Sequence, residues 1–182
     1  MVSSTASIGM ITYMPVFLNS LSTSKPTIQL IMTIFPLTLF IFPPILGKIS
    51  DKIQNRFLFI IFGAIGIVIS LILLLLTQNL VLIILISCIY GFFIATYRVI
   101  FTLFNELVRN DKRYISIYNA LSTAGWFAGS LIGGIFVEYF GIMNIFLFLM
   151  IIAMINFVIV AFIKEHRTLI LDHYETQINQ NP

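Results

Sequence analysis

Charge is what this chain has least of. Only 9% of its 182 residues are Asp, Glu, Lys or Arg, against about 25% in an ordinary soluble domain. Hydrophobic residues make up 59%, and the mean hydropathy is +1.05. A packed core cannot absorb that much Leu, Ile and Phe and still leave a polar surface to keep the chain dissolved. A soluble enzyme and a nucleic-acid-binding module are therefore excluded. The pI near 9.1 is no sign of nucleic acid, because the basic residues lie between apolar runs. The single cysteine, Cys88, can form no internal disulfide and leaves the redox compartment unread.

Other absences remove whole chemistries. Both histidines, His166 and His173, sit in the polar C-terminal stretch, so no apolar run carries a Ser-His dyad or a His-Glu-x-x-His zinc site. No Asp lies inside an apolar run, which removes a paired-aspartate membrane protease. A Walker-type phosphate loop is missing, which removes an ATPase; a channel is harder to exclude, but nothing resembles a filter loop or a ring of charges. No enzymatic activity, metal or cofactor is expected. The basic n-region of a secretory signal is also missing, since the first Lys or Arg is Lys25, so targeting is expected to come from the first spans themselves.

What remains is long apolar runs. A bilayer core of about 30 Å takes about 20 residues of helix. Six stretches qualify: roughly Ser3–Asn19, Ile28–Leu46, Phe57–Thr77, Leu80–Phe104, Ile115–Val137 and Ile142–Ile163. The first is the shortest and richest in hydroxyls. The chain thus reads as an all-α membrane protein, with a six-helix bundle over 1–163 and a polar tail over 164–182, helical or disordered. Alternating loops put Lys48, Lys52, Arg56, Arg109, Lys112, Arg113, Lys164 and Arg167 on one side and only Lys25 on the other. By the positive-inside rule that side is cytoplasmic, which places both termini in the cytoplasm of a multi-pass protein of the cell membrane.

The chain also repeats itself. Gly47 and Asp51 close the second span as Gly-x-x-x-Asp, and Gly134 and Glu138 close the fifth as Gly-x-x-x-Glu, both displaced by 87 residues. The same displacement carries span two onto span five and span three onto span six. Three is an odd number, so the second triplet enters from the opposite side. This is a 3+3 inverted-topology repeat, a hallmark of secondary transporters.

The loop after span two, Gly47-Lys48-Ile49-Ser50-Asp51-Lys52-Ile53-Gln54-Asn55-Arg56, carries the densest signal. Gly47 allows a tight helix exit, Asp51 stands before the next helix dipole, and Lys52 and Arg56 fit the phosphate layer. An ordinary positive-inside loop with a helix cap would look similar. Gly-x-x-x-Asp-Lys-x-x-x-Arg at this place resembles the signature loop of the major facilitator superfamily. Gly125, Gly129, Ser130, Gly133, Gly134, Glu138 and Gly141 are likewise similar to that family's glycine-rich fifth or eleventh helix.

The resemblance implies a transporter working by alternating access, with Gly47, Asp51, Lys52 and Arg56 in a charge cluster that gates the cytoplasmic side. Glu106 matches the acid completing that cluster. The chain departs from the family at two places. Gly129-Ser130 stands where antiporters have Gly-Pro, and Ser87 stands four residues before Gly91 where the fourth helix often has Arg. Family members have about twelve helices in two halves, and this chain corresponds to one. The complete loop signature matches the first half and the missing Arg matches the second, with a slight lean to the second.

Other residues have two readings each. Gly125, Gly129, Gly133 and Gly134 fit close helix packing. Arg98, the one basic residue within a span, lies about 10 Å from the cytoplasmic helix end; it can snorkel there or face a translocation path. The resemblance implies that spans one and four line a central cavity. Thr12, Tyr13, Tyr90 and Tyr97 are candidates there, with Asn119 a buried amide that needs a partner. Trp126 lies mid-span, where packing is expected. Pro36, Pro43 and Pro44 are expected to kink or end span two.

The function expected is transport of a small solute by one half of a secondary transporter, completed by a second copy or a complementary subunit. Few charges in the presumed cavity favour an uncharged or amphipathic substrate. The alternative is a remnant chain without transport activity, acting as a membrane interaction subunit.

Overall fold

Short polar connections fix where the apolar runs turn. The computed structural model describes residues 2–53, 56–97, 101–102, 104–105 and 112–180, and among these no residue forms a strand. The elements are α1 (Val2–Ser20), α2 (Lys25–Ile53), α3 (Arg56–Leu76), α4 (Leu80–Ala95), α5 (Lys112–Phe140), a 3-10 turn (Ile142–Asn144) and α6 (Ile145–Gln180).

α1 ends in a Schellman motif. Ser22 takes a left-handed φ of 59°, the Thr23 N–H reaches the Leu18 carbonyl at 3.3 Å, and the Ser22 N–H reaches Asn19 at 3.0 Å. Ser24 then caps α2, its side-chain oxygen accepting from the Thr27 N–H at 3.4 Å. Asn79 caps α4 by accepting from the Val81 N–H at 3.0 Å. At the end of α5, Gly141 turns the chain with φ +80°, a conformation that disfavours any side chain, and Asn144 donates back to the Phe140 carbonyl at 2.7 Å.

Four of these helical stretches are long and apolar enough to cross a membrane: Lys25–Ser50, Phe59–Leu76, Lys112–Phe140 and Ile142–Phe162. Leu80–Ala95 is apolar but shorter. The outer faces are themselves apolar, with Phe40, Leu76, Phe127 and Phe162 strongly exposed, so lipid is the medium that suits them.

Contact registers give the helix directions. Along α1 and α5, Thr5 meets Gly125, Ile8 meets Gly129 and Tyr13 meets Gly133, so these two helices run parallel. Along α2 and α4, Phe35 meets Tyr90, Thr38 meets Gly91 and Phe42 meets Phe92, again parallel. α1 against α6 is antiparallel, as Gly9 meets Leu149 and Phe17 meets Phe146; so is α3 against α4, with Gly63 on Thr96 and Gly66 on Phe93. α3 also packs along α6. The core lies between α1, α3, α4 and α6, around Leu18, Ile67, Leu71, Ile83, Tyr90 and Phe146.

Two expectations about span two are corrected. Of the two outcomes expected of Pro36, Pro43 and Pro44, a kink or an end, the end does not occur: α2 runs on to Ile53, since packing along α4 holds the helix where proline removes backbone bonds. Gly47 is not a helix exit either. It lies inside α2, between buried Leu46 and Ser50 at helical spacing, with open space where a side chain would stand. The signature loop is therefore mostly helix, from Gly47 to Ile53, with α3 starting at Arg56. Likewise the tail from 164 continues α6 as helix to Gln180.

Candidate functional site

Small residues let two helix pairs meet at backbone distance, and a cavity opens between the pairs. On the first seam, a Cβ on Gly129 would fall 2.9 Å from the Thr5 carbonyl, and one on Gly133 would fall 2.6 Å from Tyr13 Cε2. Thr5 donates its hydroxyl to the Gly125 carbonyl at 2.9 Å. The Tyr13 hydroxyl donates to the Ser130 carbonyl. On the second seam, a Cβ on Gly91 would fall 2.0 Å from Thr38 Oγ1. Without a hydrophobic force between helices in lipid, such close approach and these bonds carry the association.

Between the seams lies a cavity of about 300 Å³, within the range of small-molecule sites. Ser4, Ser7, Ile8 and Ile11 of α1 face it, with Phe35 and Leu39 of α2. Ile94 and Tyr97 from the end of α4, Phe101 beyond them, and Tyr118, Asn119, Ser122 and Trp126 of α5 complete the wall. Ser4 and Ser122 hydrogen-bond across the α1–α5 seam at 2.7 Å. The rings of Phe101 and Tyr118 stand 5.3 Å apart. None of these lining residues is charged.

Backbone bonding tightens where α4 meets the cavity. After Ala95 the Thr96 N–H bonds to Phe93, three residues back, at 3.2 Å, and the Thr96 hydroxyl donates to the same carbonyl at 2.6 Å. Gly63 of α3 makes room for this turn: a Cβ there would lie 1.8 Å from Thr96 Oγ1. Tyr97, the next residue, is held by a 2.7 Å hydrogen bond from Nδ2 of Asn156, a buried amide on α6.

The sequence candidates divide. Asn119 lines the cavity, but as an exposed side chain and not as the buried amide expected. Tyr13 does not, because its ring is locked into the α1–α5 seam. Tyr90 does not either: it is 0% exposed, buried in the core beside Phe35. Thr12 is exposed on α1 and is not among the residues that line the cavity. Gly125, Gly129 and Gly133 are buried on the α1 side, and Gly134 lies 3.4 Å from the Tyr13 hydroxyl by its would-be Cβ. Lys52 is exposed at the end of α2. Asp51 falls in the last turn of α2 and Arg56 opens α3, with side chains outside the described set; Arg98 and Glu106 lie wholly outside the described residues.

Trp126 corrects the packing expectation: it is 52% exposed and lines the cavity. Ser4, Ser7 and Ser122 were not singled out by the sequence, although a signal was present. Asn119, Ser122 and Trp126 stand at i, i+3 and i+7, one helical stripe beside the glycine stripe, and Ser4, Ser7 and Ile11 repeat that spacing on α1.

No curated protein matches the chain. The family model described as Major Facilitator Superfamily matches residues 1–174, almost the whole length. Members of that family are transporters rather than enzymes. With several apolar helices and this match, the chain belongs to the Major Facilitator Superfamily and is a multi-pass membrane protein of transmembrane transport.

Proposed function

We propose that the chain forms one half of a secondary transporter of the cell membrane that carries a small uncharged or amphipathic solute by alternating access. The observation that carries this reading is the cavity between α1, α2, α4 and α5. It sits toward the N-terminus of α1 and the C-terminal end of α4, while the opposite end of the α1–α5 seam is closed by Tyr13 against Gly133. With both termini cytoplasmic, as the basic residues indicate, this arrangement corresponds to a cavity facing the cytoplasm.

A six-span, 3+3 inverted repeat is supported by reciprocal contacts. Thr5 on Gly125 and Gly91 on Thr38 are equivalent pairs with threonine and glycine exchanged: Gly91 lies 86 positions after Thr5, and Gly125 lies 87 after Thr38. Gly9 on Leu149 and Thr96 on Gly63 are related in the same way, 87 and 86 positions apart. Exchange of α1 with α4, α2 with α5, and α3 with α6 maps the α1–α5 pair onto α4–α2 and the α1–α6 pair onto α4–α3.

The open side of the cavity needs a partner, proposed to be a second copy or a complementary subunit. Asp51, Lys52, Arg56 and Glu106 are proposed to form the cytoplasmic gate, made in one transport state and broken in the other. Arg98 is placed by the same reading near the cytoplasmic mouth.

The test is reconstitution. Candidate solutes are ranked by their effect on the fluorescence of Trp126, the single tryptophan, and the best are assayed for uptake into vesicles. Saturable uptake that depends on the protein is the expected result. Binding without uptake in any assembly found by native mass spectrometry would leave a remnant interaction subunit instead.

A further inference from the structure

Within the proposed transport reading, on which this inference rests, we infer that Tyr97 is the cavity's directed hydrogen-bond donor, that Asn156 is its positioning residue, and that the solute is an uncharged molecule with a flat apolar body and a hydrogen-bond acceptor at one edge. Asn156 Nδ2 donates to the Tyr97 hydroxyl oxygen at 2.7 Å. The phenol oxygen accepts there, so its own proton is left for a second partner. Tyr97 lines the cavity and Asn156 does not, so the solute side is where that partner is found.

Asn156 has little other reason to be where it is. It is 7% exposed on α6, a helix whose packing on α1 and α3 is otherwise apolar, through Leu149, Phe146 and Ala153. An amide in that setting is costly unless paired, and its pairing reaches across to the one α4 residue that follows the tightened turn at Thr96. The turn and the amide together fix where the Tyr97 ring points. Around it, Phe35, Phe101, Tyr118 and Trp126 supply flat apolar walls, and no charged residue among the described lining complements an ion. A buried ion without a counter-charge is strongly disfavoured, whereas an aromatic or similarly flat neutral molecule meets these walls favourably.

The test uses four one-ring probes of nearly equal size, followed by Trp126 fluorescence on the full chain in its native assembly, in lipid nanodiscs. Benzamide is neutral with a carbonyl acceptor, toluene is neutral without one, benzoate is an anion and benzylammonium a cation. Benzamide is expected to bind saturably and about tenfold more tightly than toluene, the worth of one hydrogen bond, with both ions weaker than either. Tyr97→Phe and Asn156→Leu should each bring benzamide down to the toluene level and leave toluene affinity unchanged, while Asn156→Gln keeps part of the preference. A merely structural role for Asn156 would weaken both neutral probes together and overturn the positioning claim. If the variants fail to fold, the unmodified protein still decides: benzamide no tighter than toluene, or an ion tightest, overturns the inference. Uptake of an ionic solute would do so while leaving the transport reading intact; neutral selectivity without uptake would do the reverse.

Discussion

Tyr13 and Gly133 share a single volume: the Tyr13 ring occupies the space in which any Cβ at position 133 would stand, 2.6 Å from Cε2. The ring cannot swing aside freely, because its hydroxyl is bonded to the Ser130 carbonyl one turn away. Gly133→Ala is therefore expected to destabilise the bundle by about 1–3 kcal/mol, the usual range for overpacking. Tyr13→Leu should remove most of that penalty, so the double variant loses less than the two single variants added together. Thermal unfolding in detergent measures this, and strict additivity would show that the two side chains do not compete.

The exchanged pairs give a sharper test of the internal repeat. Gly91→Thr places a side chain where Thr38 Oγ1 already stands, 2.0 Å from the would-be Cβ, and should be strongly destabilising. Adding Thr38→Gly recreates on α2 and α4 the Thr-on-Gly arrangement that α1 and α5 already have. The double variant is expected to regain stability relative to Gly91→Thr alone, less about 1 kcal/mol for a glycine within a helix. Failure to regain any stability would contradict the equivalence of the two seams.

Helix positions were legible in the sequence because a hydrophobic run is a long and redundant signal, and α3 begins and ends within a residue of its apolar run. The ends of α2 were not. Pro43, Pro44, Gly47 and the charges after it all read locally as a helix stop, yet packing along α4 carries the helix to Ile53. The same limit governs the site. Tyr13, Tyr90 and Tyr97 are indistinguishable by composition, but one lies in a seam, one in the core and one in the cavity. What separates them is the rotation of each helix about its axis, which only the neighbouring helices determine. Asn119 could be placed because its stripe on α5 continues through Ser122 to Trp126.

Trp126 gives a direct check on the cavity. If its exposed face borders a hydrated cavity, acrylamide added to the aqueous phase should quench the single tryptophan more strongly than brominated lipid does. Dominant quenching by brominated lipid would put the residue on the lipid face.

Asp51 stands in the final turn of α2, just ahead of α3. As part of a gate that forms in one state, its charge biases the balance between states. Asp51→Asn is expected to lower the transport rate at least tenfold, with solute affinity changed much less. Initial rates against solute concentration separate the two, and an unchanged rate would remove Asp51 from the gate.

Alternating access is tested most directly by labelling the cavity from each side of the membrane. A cysteine at Ser122, placed in a Cys88→Ser background, sits in the cavity wall within the α1–α5 seam. In vesicles of known orientation, an impermeant thiol reagent should modify it from the cytoplasmic face and, more slowly, from the opposite face, with a bound solute protecting against both. Labelling from the cytoplasmic face alone, unaffected by any solute, would contradict transport by this bundle.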